Sequence, residues 1–361
     1  MLAFGLTTVA LGPAHAWADA AGPTDYRSQV VDVQPATPAV HLSVVGGDSF
    51  LQLSVDRGTE AEVVGYRGEP FIHFLPDGQV QENRASATYF LSASRYGNTL
   101  PAGFVDDAPA DWHTVADDGT YAWHDHRIHW MIDTRPPGKQ PGDVVLSAEV
   151  PLIVDGVEVD VKVESTWLPA ASRLPMWLGL SAGVAVVGAV LAVAAAAAGP
   201  AAMRRRRARG IAGATSDLAV LAVVIGWWQY SSLPAETGPR PVWFALPAVA
   251  AVAGIAALVL ALRNARPGAA AGGQVAATLA GSALVLLAGV NLVVWGWMRR
   301  DGFRFAILAT DAPGWLDRFA SAAALSGGAL VAGYGLVVLA GAIVSPQQLL
   351  QRDDAAGATA T

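Results

Sequence analysis

The chain has 361 residues, of which 53% are hydrophobic, and a formal net charge of −7. Residues 24–168 hold 22 acidic and 9 basic side chains, so the first half is acidic and the remainder is basic and apolar, a balance that disfavours nucleic-acid binding and indicates two environments. The sequence has no cysteine, which excludes disulfides, thiolate zinc sites and copper centres with a cysteine ligand.

Residues 1–20, MLAFGLTTVALGPAHAWADA, have the pattern of a signal peptide. A short apolar run precedes small-residue cleavage patterns, and we favour cleavage after Ala20, which discards His15 and leaves a polar start at AGPTDY. No basic residue precedes the apolar run, so we expect translation to start upstream of Met1.

Residues 21–168 alternate apolar and polar residues between turn signals, which is typical of β-strands. SVVGGDSFLQLSV predicts two strands around a glycine turn. In VVLSAEVPLIVDGVEVDVKVESTWL, Asp155 and Gly156 predict a two-residue hairpin turn. About seven to nine such strands predict an all-β domain with an immunoglobulin-like β-sandwich fold.

A short linker at residues 169–175 leads to a predicted α-helical membrane domain at residues 176–344. Five apolar stretches in this domain have the roughly 20 residues that a helix needs to cross a hydrocarbon core. They cover residues 176–198, 211–233, 242–262, 275–298 and 320–344. None of them contains His, Glu or Lys, which argues against an ion or proton path. The sequence therefore predicts a lipid bilayer as a partner.

Arginines predict the orientation of these helices. The run RRRRAR at residues 204–209 lies between the first two stretches and should stay in the cytoplasm by the positive-inside rule. The protein is then expected in the plasma membrane with its N-terminal domain extracytoplasmic, and residues 345–361 are expected to form a disordered cytoplasmic tail. Gly179 and Gly183 form a small-residue face that favours helix packing, within the chain or with a partner membrane protein.

The stretch YAWHDHRIHWM at residues 121–131 contains three of the seven histidines of the chain. If residues 121–132 form one strand, His124 and His126 point to the same face, where two imidazoles can lean onto one ion. His129 then faces away unless the chain bends after Arg127. This spacing predicts a metal site that needs a bend or a further ligand.

Further ligands are available elsewhere. His113, His73, His41 and the carboxylates of Asp117 and Asp118 are candidates, and Met131 would add affinity for Cu(I). Imidazole with carboxylate suits zinc or copper, which are the cofactors we expect. Asp125 or Asp111 is expected to accept a hydrogen bond from the second nitrogen of a ligating histidine. The predicted metal ligands are His124, His126, His129, His113 and Met131.

Two other interpretations of the histidines remain open. They are structural if His124 and His126 lie half-buried beside Ile128 and Trp130, with Asp125 and Arg127 as a same-strand ion pair. They are catalytic only if a nucleophile or paired carboxylates such as Asp117 and Asp118 accompany them. No serine-hydrolase, phosphate-binding, metalloprotease or dinucleotide motif occurs, so we do not expect an enzyme.

The segments GPTDYRSQVV, VVGGDSFLQLSV, GYRGEPFIHFLPDG, RYG and YAWHDHRIHWM resemble those of an uncharacterised group of membrane-anchored envelope proteins from high-GC Gram-positive bacteria. The resemblance covers the β-domain and the first span well and the later spans loosely. It implies an exported β-sandwich anchored in the membrane and implies no activity. The domain is also loosely similar to CopC-type exported copper binders, which are β-sandwiches without cysteine.

These observations predict a plasma-membrane protein whose outward β-sandwich binds a ligand, copper or zinc, in the cell envelope. The alternative is a non-enzymatic interaction or scaffold protein that contacts an envelope or membrane protein partner and is anchored by its helices. Convergence of His124 and His126 with a third ligand discriminates the two hypotheses.

Overall fold

The computed structural model describes residues 20–106, 108–132, 134–264 and 271–344. By internal contacts the chain divides into two compact units, which are described separately below. The first is formed mainly by Tyr26–Leu168 with Pro234–Pro239, and the second mainly by Pro169–Leu233 and Arg240–Thr361. His15, the predicted signal peptide apart from Ala20, and the predicted tail lie outside the described residues.

The described part of the first unit contains ten antiparallel β-strands in two sheets. The strands are β1 (Tyr26–Gln34), β2 (Val40–Val45), β3 (Phe50–Val55), β4 (Ala61–Val64), β5 (Pro70–Phe74), β6 (Val80–Asn83), β7 (Trp112–Ala116), β8 (Thr120–His124), β9 (Val144–Val154) and β10 (Val157–Trp167). Seven strands form one sheet in the order β1-β10-β9-β4-β5-β6-β7, and β2-β3-β8 form the other. One short helix, α1 (Ala87–Leu91), follows β6.

The longest hairpin joins β9 to β10 and confirms the turn predicted at Asp155 and Gly156. Both residues have positive φ, 49° and 78°, which a two-residue turn matched to strand twist requires. Along β10 the side chains of Val159, Val161 and Val163 are buried, because alternate residues of a strand point to one face.

Both sheets contribute to one apolar core. Leu51 and Leu53 of β3 pack in the same cluster as Ile72 of β5 and Leu152 of β9, and all four are fully buried. Burying each such side chain contributes about 1.5–3 kcal/mol. Since β8 pairs with β3 along Ser54↔Thr120 to Phe50↔His124, the position of His124 is fixed by this core.

The second unit contains five long helices: α2 (Leu174–Ala195), α3 (Pro200–Ser231), α4 (Val242–Arg263), α5 (Ala271–Met298) and α6 (Gly314–Val344). In the described residues these five are long and apolar enough to cross a membrane, which confirms the predicted number. Their composition indicates insertion in a lipid bilayer.

The arginine run, which lies between the first two apolar stretches of the sequence, belongs to a helix in the structure. Helix α3 begins at Pro200, so Arg204–Arg209 occupy its first turns and the apolar part starts at Ile211. Proline suits the first position of a helix because its missing N–H has no intrahelical partner there. Arginine is a good helix former, and nothing after Pro200 interrupts the helix until Ser231.

Gly179 and Gly183 pack helix α2 against helix α6. A Cβ atom on Gly183 would lie 2.5 Å from the Ala323 carbonyl oxygen and 2.7 Å from the Gly327 nitrogen, so only glycine allows this approach. Ser326 of α6 also donates a hydrogen bond of 2.9 Å to the Leu180 carbonyl. The small-residue face is therefore used within the chain.

Arg299 and Arg318, which fall between the apolar stretches 275–298 and 320–344 of the sequence, are bonded within the second unit. Arg299 donates to Asp317, Gln229 and Ser321. Arg318 donates to backbone carbonyls, including that of Gly302 at 2.7 Å. Helix α6 begins at Gly314, six residues before the apolar stretch at 320–344, so Arg318 lies in its first turns.

Candidate metal centre

His124, His126 and His129 converge in the structure. The ring centroid of His124 lies 5.0 Å from that of His126 and 4.9 Å from that of His129, and the centroids of His126 and His129 are 5.5 Å apart. Each ring offers one nitrogen, and these three nitrogens lie within 4.8 Å of one another. Among the described residues this is the one group of three or more histidine and carboxylate side chains with metal-ligand spacing.

The convergence depends on a bend that comes earlier than the sequence suggested. Strand β8 ends at His124, and residues 126–128 form one turn of 3₁₀ helix instead of continuing the strand to residue 132. Asp125 starts this turn, because its carboxylate accepts a hydrogen bond of 2.9 Å from the Arg127 N–H. The chain returns to an extended conformation at His129, which brings its ring back beside His124.

One nitrogen of each of the three rings contacts a backbone carbonyl. His124 donates from Nδ1 to the Ser92 carbonyl at 2.8 Å, and His126 donates from Nε2 to the Ser94 carbonyl at 2.7 Å. His129 Nδ1 makes a longer contact of 3.4 Å with the Trp130 carbonyl. A carbonyl only accepts, so each of these nitrogens carries the proton and the other nitrogen of each neutral ring carries a lone pair.

Two of the lone-pair nitrogens have no protein partner. The Nε2 atoms of His124 and His129 are buried and lack a hydrogen-bond partner among the described residues. Leaving a buried polar atom unsatisfied costs about 1–3 kcal/mol. A metal ion or a buried water molecule at the centre of the cluster would satisfy them, and no other group of the described residues does.

The surroundings keep the histidines neutral. Burial is the main cause that lowers the pKa of His124 to about 4, with the neighbouring His126 and Arg95 acting in the same direction. Burial and the neighbouring His124 lower the pKa of His129 to about 3. Burial also lowers the pKa of His126. Neutral imidazole is the form that binds metal, so the rings need not lose protons at neutral pH before they do so.

The spacing of the three nitrogens is somewhat wider than that around a bound ion. Zinc–nitrogen bonds of about 2.0–2.1 Å in tetrahedral geometry place ligand nitrogens about 3.3 Å apart. The widest separation of 4.8 Å would therefore contract by roughly 1.5 Å, which small rotations of three side chains supply. Three histidines leave one tetrahedral position for water or another ligand.

Asp125 does not accept a hydrogen bond from a cluster histidine, contrary to the expectation from the sequence. The fully buried carboxylate accepts from Trp123 Nε1 at 3.0 Å and from Arg127 Nε at 3.0 Å and Nη2 at 2.7 Å. Burial alone would raise its pKa, but the Arg127 charge and these hydrogen bonds lower it overall. The buried Asp125 and the partly buried Arg127 form an ion pair that holds the turn.

The structure does not bring His113 to the cluster. His113 lies on β7, in the other sheet from β8. Its Nε2 lies 3.0 Å from Asp111 Oδ2, so Asp111 pairs with His113 and not with a histidine of the cluster. His73 pairs with Glu60 at 2.6 Å, and His41 lies 3.6 Å from Asp56. These three histidines have carboxylate partners of their own.

Met131 lies beside the cluster without joining its three nitrogens. It lines a shallow pocket with His126, Tyr66 and Gly97. His126 is half-buried and is the cluster histidine that lines this pocket, whereas His124 and His129 are only 3% and 1% exposed. Asp117 and Asp118 are exposed in the turn before β8.

Sequence reasoning did not identify four further residues at the cluster, which are Tyr66, Ser92, Ser94 and Arg95. Ser92 and Ser94 act through their carbonyls, which no residue type reveals. Tyr66 stacks on His126 at a centroid distance of 5.9 Å, and its hydroxyl accepts from the His126 N–H at 2.8 Å. Arg95 is held by both oxygens of buried Asp48, at 2.9 and 2.6 Å. Of these residues, only Arg95 has a charge that sequence reasoning could have considered.

Fold and site together define a protein with five apolar helices of membrane-spanning length and an antiparallel β-domain that carries a three-histidine cluster. No family model, no curated protein sequence and no solved structure matches the chain.

Proposed function

We propose that this protein binds copper or zinc in the cell envelope through His124, His126 and His129. Plasma-membrane insertion, with the N-terminal domain extracytoplasmic and the C-terminus cytoplasmic, is part of the proposal. The positive-inside rule supports this orientation through Arg204–Arg209, which lie at the start of α3. The two sheets that share one core support a β-sandwich, and an immunoglobulin-like arrangement stays a prediction.

One observation carries the proposal: three neutral imidazoles converge, and two of their lone-pair nitrogens are buried without a partner among the described residues. Buried polar atoms in proteins are nearly always hydrogen-bonded, so such a pair of exceptions calls for an occupant. A divalent ion interacts with all three lone pairs at once. The hydrogen bonds from His124 and His126 to backbone carbonyls also match the arrangement that orients metal-ligating imidazoles.

The ligand set indicates which metals fit. Imidazole nitrogen is a ligand of borderline softness that suits Zn(II) and Cu(II), whereas Mg(II) and Ca(II) prefer oxygen ligands. Met131 in the pocket beside His126 supplies a thioether that would favour Cu(I) over Zn(II) if it joined the coordination. Binding copper or zinc outside the cytoplasm is the function that this set supports best.

The test is isothermal titration of Zn(II) and Cu(II) into the purified full-length protein in detergent, after removal of metal with a chelator. We expect submicromolar binding of one ion per chain. The double substitution His126→Ala/His129→Ala should weaken binding by more than the roughly 10- to 100-fold typical of changes outside the ligand shell. Mg(II) should give no heat.

The matched control removes two histidines outside the cluster, by His73→Ala/His113→Ala, and should bind as the wild type does. Equal losses in both double variants would show adventitious binding to surface histidines. No binding in the wild type would contradict the proposal, assign a buried water to the cluster and favour an interaction or scaffold role for the domain.

A further inference from the structure

A cavity lies in the second unit, among the helices at the arginine-rich end of α3. Its volume is about 260 Å³, and its lining comes from α3, α4, α5 and α6. It meets the start of α3 and α5, near Arg204 and Gln274, and the end of α4 and α6, near Asn264 and Val338. The cavity therefore lies at one end of the helices, where their polar and apolar parts meet.

The polar side of this cavity is positively charged. Arg204, Arg205 and Arg207 line it, and none of its lining residues is acidic. The Nε atom of Arg207 is buried and has no hydrogen-bond partner among the described residues. An arginine fork with an unused donor is suited to phosphate, whose oxygens accept two parallel N–H bonds.

The opposite side of the cavity is apolar. Val285 of α5 and Ala257 of α4 are buried there, and Val338 and Tyr334 of α6 complete the wall. A small inorganic anion would gain nothing from such a wall. An anion attached to a hydrocarbon chain would bury apolar surface at about 25 cal/mol per Å².

The length of α3 places this cavity near the surface of the hydrocarbon core. Its 32 residues span about 48 Å, whereas the core is about 30 Å thick, so one end of the helix must project into the headgroup region. The charged turns Arg204–Arg209 are the end that projects, because charges in hydrocarbon are costly. Basic pockets between helices at this depth are suited to acidic headgroups.

We propose that this cavity binds one anionic phospholipid, with its phosphate at Arg205 and Arg207 and an acyl chain along Val285 and Val338. The proposal is independent of the metal centre, since the cavity shares no residue with the histidine cluster. It rests on the membrane insertion that the five helices indicate.

The test is native mass spectrometry of the full-length protein in detergent, titrated with dioleoylphosphatidylglycerol or dioleoylphosphatidylcholine. We expect one phosphatidylglycerol molecule to bind more tightly than phosphatidylcholine. The variant Arg205→Gln/Arg207→Gln should bind it about 30-fold more weakly, because each arginine near an anionic lipid contributes about 1 kcal/mol. Excess inorganic phosphate should not displace the lipid.

The matched control, Arg206→Gln/Arg263→Gln, removes two exposed arginines that do not line the cavity and should keep wild-type affinity. A second variant, Val338→Trp, fills the cavity and keeps every charge, so it should also lose the lipid. Equal affinity for the two lipids, equal losses in the two arginine variants, or unchanged binding in Val338→Trp would each overturn the proposal. Displacement by inorganic phosphate would also overturn it and assign a free-anion site.

Discussion

Residues 124–129 contain two sets of polar side chains that differ in how their hydrogen bonds are satisfied. In the first set, Asp125 accepts through both carboxylate oxygens, and Arg127 donates from all three nitrogens of its guanidinium, including a 3.0 Å bond to the Val64 carbonyl. In the second set, His124 and His129 each keep a buried nitrogen without a partner among the described residues.

This difference separates side chains that build the fold from side chains that are available for a ligand. A buried charge whose hydrogen-bond partners all belong to the chain stabilises the native geometry. Removing one member of such an ion pair leaves the other charge buried without a partner, which is strongly destabilising. A buried lone pair without a partner destabilises the protein until something binds. The same turn therefore contains the ion pair that holds it and lies between two histidines whose buried nitrogens the proposed metal ion would contact.

Replacing Arg127 by methionine should have the largest effect on stability. Asp125 would remain buried without its counter-ion, which typically costs about 3–5 kcal/mol. Chemical denaturation of the full-length protein, followed by near-ultraviolet circular dichroism, measures the loss. The exposed Arg57→Met is the control and should change stability by less than about 0.5 kcal/mol. Equal effects of the two substitutions would contradict the structural role of Arg127.

Replacing His129 by leucine should change stability little and zinc affinity strongly. Without metal, stability should change by less than about 1 kcal/mol, because the substitution removes an unsatisfied nitrogen and breaks only the 3.4 Å contact with Trp130. Zinc affinity should fall by more than roughly 100-fold, because one of three ligands is lost. Denaturation and titration of the same preparation check both expectations. A large loss of stability with unchanged zinc affinity would make His129 a structural residue.

Lowering the pH should separate metal binding from the behaviour of ordinary histidines. The pKa values of His124 and His129 are lowered to about 4 and about 3 from 6.5, so the unfolded chain takes up protons below pH 6.5 that the folded domain does not. Stability without metal should therefore fall as the pH drops from 6.5 towards 4. Zinc affinity should fall less from pH 7 to about 5 than for a site of exposed histidines, since the lowered pKa values keep the His124 and His129 rings neutral in that range.

Melting temperatures and zinc titrations at several pH values measure these two trends. The variant His129→Leu is the control for stability and should show a smaller slope with pH. A fall in wild-type zinc affinity centred near pH 6.5 would mean that exposed histidines, and not the cluster, hold the ion.

Replacing Tyr66 by phenylalanine should have the smallest effect. The hydroxyl accepts from the His126 N–H at 2.8 Å and lies 2.8 Å from Ser92 Oγ, so it positions His126 and the segment that holds His124. Zinc affinity should fall by about 10-fold, as for other residues that support metal ligands, with a loss of stability of about 1 kcal/mol. Unchanged affinity would show that the ring stacking alone positions His126.

Much of the fold follows from the sequence, because it is coded in local patterns. Five apolar stretches gave five helices, and Asp155-Gly156 gave the hairpin between β9 and β10. The start of α3 did not follow from hydropathy, because the apolar stretch begins only at Ile211. The segment from Pro200 onward contains good helix formers, and local propensity extends α3 through it.

The histidine cluster was predictable in its members and not in its geometry. The alternation of a strand placed His124 and His126 together and left His129 outside, because sequence periodicity carries no information about where a strand stops. The stop depends on Asp125, whose carboxylate bonds with Arg127 replace the strand pattern. Contacts between distant segments, such as the Ser92 carbonyl with His124, depend on tertiary packing and leave no local signal.

The contact of Gly179 and Gly183 with α6 has a consequence for how the chain is made. Helix α2 is the first of the five to leave the ribosome, and its packing surface lies on the last one, around Ala323 and Gly327. During synthesis this glycine surface has no native neighbour until α6 has entered the bilayer. A nascent chain that stops before residue 314 consequently has an unpacked small-residue surface on α2, so the packing of the first helix is completed only by synthesis of the last.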